Sequence, residues 1–94
     1  MDKYEESQRG YQASQLIDNP IYKECISELR KGIVEKWRTA PIRDSEGLYS
    51  LKLMDKLLTD IEGYIKNVAE TGKMADIQLE REKNVANLRK VGIR

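Results

Sequence analysis

Leu51, Met54, Leu58, Ile61, Ile65 and Val68 recur at spacings of three, four, three, four and three. Apolar residues at a mean period of 3.5 line one side of an α-helix, and they leave water only when another helix lies along them. Leu48, Leu57 and Tyr64 flank this heptad seam and broaden it. Asp44 or Ser45 is placed to cap the helix start, and Glu46 complements its positive end. Gly72 stands where a left-handed C-terminal cap belongs. Together these signals predict a helix over about 45–71, roughly 40 Å long at 1.5 Å per residue.

A helix needing a companion directs attention to the segment before it. Tyr22, Ile26, Leu29, Ile33 and Trp37 form a second stripe, widened by Cys25 and Val34, over about Pro20 to Arg38. Asp18 or Asn19 can cap this helix, and Pro20 suits its first position because the missing amide has no intrahelical partner there. Thr39-Ala40-Pro41 ends it, since a proline pushes the residue before it out of the α region. The remaining link to Arg43 is short, so the two helices are expected to pack as antiparallel neighbours. Residues 1–10 read as a polar arm, followed by a short helical stretch from Tyr11 to Ile17. Beyond Gly72, residues 75–89 read as a fourth helix whose apolar stripe Arg81 interrupts. The expected fold is all-α, a small helical bundle built on an antiparallel helix pair with one long heptad-patterned helix. Its expected divisions are the arm 1–10, a helical domain 11–79 and a basic helical tail 80–94.

The chain's chemistry points away from catalysis. Its 94 residues include no histidine and one cysteine, with a formal net charge of +1. Missing histidine removes the commonest general base, the commonest metal ligand and the usual partner of a serine or cysteine nucleophile. Cys25, on the apolar side of its helix, is expected to pack as a small hydrophobe. The carboxylates have basic neighbours three or four positions away, as Asp55 has Lys52 and Glu62 has Lys66, the pattern of a solvated helix surface. Glu70-Thr71-Gly72-Lys73 lacks the first glycine of a phosphate-binding loop. The expectation is a protein that is no enzyme, with no metal, cofactor or small-molecule ligand. No apolar run reaches the length of a membrane span, and the polar, acidic first residues lack the pattern of a signal peptide. The exposed loop between Trp37 and Gly47 is an alternative place for binding contacts.

Nucleic acid is the competing partner. The start of the seam helix carries Asp44 and Glu46, which repel phosphates and disfavour a helix-turn-helix reading. Arg81, Lys83, Arg89, Lys90 and Arg94 are the better candidate contacts, diluted by Glu80 and Glu82.

Three stretches add a resemblance: Leu16-Ile17-Asp18-Asn19-Pro20, Trp37-Arg38-Thr39-Ala40-Pro41-Ile42-Arg43-Asp44-Ser45-Glu46-Gly47, and Glu70-Thr71-Gly72-Lys73-Met74-Ala75. This pattern, over about residues 11–79, resembles a set of small helical proteins of tailed bacteriophages. The resemblance implies a product of the head, portal or packaging genes and supplies no catalytic residues. The resulting expectation is a bacteriophage structural or assembly protein of the virion head, portal or connector, acting through protein–protein contacts. It would form a homo-oligomer or bind capsid or portal proteins, in the virion or the host cytoplasm. A small terminase-like DNA-packaging subunit and an inhibitor or regulator of a host protein are the alternatives. The interaction seam is placed at Leu51, Met54, Leu58, Ile61, Ile65 and Val68.

Overall fold

The computed structural model describes residues 1–90, Lys90 by its backbone alone. The described residues form three α-helices and no strand: α1 (Lys3–Asp18), α2 (Pro20–Thr39) and α3 (Ser45–Lys90). The all-α class expected from the sequence is the class observed. Two boundaries differ from expectation, each for a local reason.

The segment read as a polar arm is helical from Lys3. Asp2 caps it: its Oδ1 accepts from the Glu5 amide at 2.8 Å, and its carbonyl accepts from the Glu6 amide at 3.0 Å. Asp2 followed three residues later by Glu5 has the spacing of a capping box, with aspartate in place of serine or threonine. Glu5 and Glu6 in the first turn add favourable charge at the positive helix end.

The second difference lies at Gly72. α3 continues through it for 18 further residues to Lys90, so the expected cap and separate fourth helix are replaced by one uninterrupted helix of 46 residues. The residues after Gly72 are mostly good helix formers without proline, and a single glycine costs only about 1 kcal/mol in a helix interior. Glycine is required at this position for space, as described below.

The other caps fall where expected. Asn19 Oδ1 accepts from the Ile21 and Tyr22 amides at 2.8 and 3.1 Å, with Pro20 opening α2. Asp44 caps α3 by accepting from the Gly47 amide at 2.9 Å, and its carbonyl accepts from the Leu48 amide at 3.0 Å.

The chain divides into two compact units, to both of which α3 contributes. A terminal unit comprises Met1–Gln15 and the described residues from Lys66 onward; a central unit comprises Leu16–Ile65.

In the terminal unit α1 runs against the later part of α3. Lys3 pairs with Glu82, Ser7 bonds Asp76, and Gly10 meets Gly72, so residue numbers rise on one helix as they fall on the other. The interface consists of small residues: Gly10, Ala13, Ala69, Gly72 and Ala75 are all buried. A Cβ on Gly72 would lie 2.5 Å from the Gly10 Cα and 3.0 Å from the Glu6 carbonyl oxygen. One on Gly10 would strike Gly72 in the same way. These obstacles are backbone atoms, which cannot swing aside.

The central unit is built from large side chains. Leu51 and Leu58 of α3 are buried, with Ile26 and Ile33 of α2 and Ile65 of α3 half-buried. Arg30 on α2 donates from Nη2 to Glu62 Oε1 on α3 at 2.5 Å. Trp37 lies beside Leu48 and Leu51, while Leu29 lies beside Met54 and Ile61, so α2 and this part of α3 are antiparallel.

Candidate functional site

α3 presents a different edge of its seam to α2 than the leucine spacing suggests. In the central unit Leu51, Asp55, Leu58, Glu62 and Ile65, at spacings of four, three, four and three, are buried or half-buried, as are Gly47, Leu48 and Gly63. Leu51 and Leu58 are buried and Ile65 is half-buried along this line. Their companions there are Asp55 and Glu62, and Met54 and Ile61 are displaced to its flank, 50% and 46% exposed. Val68, also assigned to the seam, is half-buried in the terminal unit.

The rotated seam brings charged groups together between the helices. Glu62 faces Arg30 across the two helices instead of pairing along α3 with Lys66, and Asp55 adds to the negative field at Arg30. The hydrogen bond to Glu62 is the largest influence on Arg30 and raises its pKa above the usual arginine value, with both carboxylates contributing. Both partners remain over a third exposed, so the pair is worth no more than about 1 kcal/mol. With the carboxylates turned toward α2, aliphatic side chains of α3 lie on the open side.

Those side chains form an open apolar face. Leu29, Gly32 and Ile33 of α2 and Met54, Leu57, Leu58 and Ile61 of α3 line a groove of about 370 Å3, with Glu28 and Lys36 on its α2 side. Leu57 is 62% exposed, and Leu53 and Tyr64 continue the exposed apolar surface along α3. On α2, Cys25, Leu29, Gly32 and Lys36 follow one another at spacings of four, three and four, a second heptad line beside the packed stripe. Cys25 is exposed on that line, a correction to its expected place in the packed core. A Cβ on Gly32 would meet nothing within 4 Å.

A smaller apolar recess of about 270 Å3 lies near the α2–α3 turn, lined by Ile33, Val34, Trp37, Leu48 and Leu51, with Lys52 and Asp55. Trp37, expected to close the packed stripe, is largely exposed, and Ile42 at the turn is 94% exposed. The sequence offers a signal for this, since Trp37 occupies the last turn of a helix that stops two residues later.

The basic residues are less concentrated. Arg81, Lys83 and Arg89 are exposed on α3; the Lys90 side chain and Arg94 lie outside the described residues. At 3.6 residues per turn, Arg81 and Lys83 point roughly 160° apart. Glu80, Glu82 and Lys83 share one shallow surface with Tyr4 and Leu79, and Lys3 engages Glu82 there.

Among the described residues, no three His, Cys, Asp or Glu side chains gather as a metal-binding group would, and no helix is long and apolar enough to cross a membrane. Compared with protein families, curated proteins and solved structures, the chain matches none.

Proposed function

We propose that this protein acts without catalysis, through protein–protein contacts, as a structural or assembly component of a bacteriophage. The observation that carries the contact reading is the apolar face of the central unit. Leu29, Met54, Leu57 and Ile61 lie side by side and are all about half exposed or more. Isolated exposed aliphatics are ordinary, but a contiguous patch of several hundred Å2 is what interaction surfaces present. The absence of histidine from the whole sequence supports the non-catalytic half of the reading. The phage setting, in the virion or the host cytoplasm, rests on the resemblance in the Asn-Pro, Trp-to-Gly47 and Glu-Thr-Gly-Lys stretches. A coiled-coil manner of packing is proposed for the same face, because both helices present heptad-spaced positions there.

DNA contact has weaker support, since Arg81 and Lys83 point apart and acidic residues sit among them. The test of the contact reading is Leu57→Asp. The expected result is unchanged helicity, and unchanged melting at a dilution where the parent is monomeric, together with loss of the protein from purified phage particles, followed by mass spectrometry. Equal incorporation of variant and parent would remove the face from the proposal.

A further inference from the structure

We infer that the apolar face docks a second copy of this chain, antiparallel across a two-fold axis at the level of Gly32. The axis lies in the plane of the face, perpendicular to the helices, so that α2 crosses over the second copy's α2. This inference rests on the protein-contact reading above and names the occupant.

Charge selects that occupant. Glu28 and Lys36 both line the groove, and Gly32 stands midway between them. Each is about 6 Å from Gly32 along the helix. A perpendicular two-fold at Gly32 reverses one α2 against the other, which sets Glu28 of each copy opposite Lys36 of the other, twice over. The arrangement is isologous, one patch complementing itself. A two-fold running along the helices would instead lay α2 over the second copy's α3. There Glu28 and Lys36 would meet the second copy's groove residues on α3, Met54, Leu57, Leu58 and Ile61, none of which carries an opposite charge. Glu28 also pairs with Lys31 on its own helix at 3.4 Å, an exposed contact that leaves the carboxylate free to reorient. Gly32 permits the approach: with nothing near its absent Cβ, the backbone can come close to its symmetry mate, as small residues at the terminal crossing allow α1 and α3 to do.

The geometry distinguishes two cysteine positions. Cysteines replacing Gly32 would face each other at the axis, within the Cα separation of about 4.4–6.8 Å that a disulfide requires. The native Cys25 thiols would be about 21 Å apart along the helix direction, at 1.5 Å per residue on each side of the axis. The test is mild oxidation of Gly32→Cys in a Cys25→Ser background, beside the parent, with sedimentation of Glu28→Lys, Lys36→Glu and the double variant. The expected results are a disulfide dimer from Gly32→Cys and none from the parent. Each single charge reversal should weaken dimerisation about tenfold, and the double variant should restore it. A parent monomer at 100 µM, or cross-linking through Cys25 in place of position 32, would overturn the inference. Self-association lost in Leu57→Asp but indifferent to the charge reversals would overturn the two-fold register and leave the contact reading standing. Association indifferent to Leu57→Asp as well would remove both.

Discussion

In the terminal unit two helices meet through Gly10 and Gly72, whereas in the central unit two helices are held apart by leucines and isoleucines. The consequence appears in which side chains are best covered. Ala75 is 1% exposed, while the most buried large residue, Leu58, is 7% exposed. Small residues let backbones touch, so the interface closes completely but hides little apolar area per residue. Large residues hide more area each, but they space the helices, and two cylinders touching along a line leave the flanks of a wide apolar stripe uncovered. The closed interface suits internal support, and the uncovered one suits a partner.

The contrast can be broken most forcefully at Leu58. Leu58→Asp puts a carboxylate into the packed seam of the central unit and is expected to cost about 3 kcal/mol or more, read as a collapse of cooperative melting by circular dichroism. Ile61→Asp, one turn away on the flank, should reduce association while leaving the melting curve of the dilute, monomeric chain within about 0.5 kcal/mol of the parent. Equal damage from the two would mean that the flank is packed and the exposed face does not exist.

Next in size is the glycine crossing. Gly10→Ala and Gly72→Ala each force α1 and α3 apart against backbone atoms, for about 1–3 kcal/mol each. Hydrogen exchange should show the loss in residues 3–15 and 66–90. Because the two residues occupy one contact, the double variant should cost less than the sum of the singles. Gly32→Ala is the control. In a Leu57→Asp background, which keeps the chains apart, the same chemical change in open space should stabilise α2 by about 0.5–1 kcal/mol, the ordinary helix preference for alanine. Destabilisation by Gly32→Ala would contradict the open environment around that residue.

The smallest effect is expected at Arg30. Arg30→Met removes an ion pair that is over a third exposed, so chemical denaturation should register a loss of no more than about 1 kcal/mol. The raised Arg30 pKa fixes the sign of any pH dependence from that side of the pair. Its contribution is fully present below the ordinary arginine value and is lost only as pH rises through the still higher folded value. Arg30 therefore adds no slope to stability near neutrality.

Much of this was written in the sequence because it depends on neighbours along the chain. Asn19-Pro20 and Asp44 start helices through amides two or three residues away, and Pro41 ends one through the backbone just before it. The same local rules contained Asp2 and Glu5, although the polarity of the first ten residues masked their capping spacing. The heptad period likewise placed Leu51, Leu58 and Ile65 toward a partner helix. Tertiary structure decided the questions that involve two segments far apart in the chain. Gly72 is a glycine because α1 passes over it, and no local pattern distinguishes that requirement from a helix cap. Met54 and Ile61 lie on the flank while Glu62 meets Arg30, about thirty residues earlier, at the helix junction. Spacing alone identifies a wide apolar arc on α3. Which part of that arc remains open depends on how α2 settles against it, a choice made by cross-helix charge and packing.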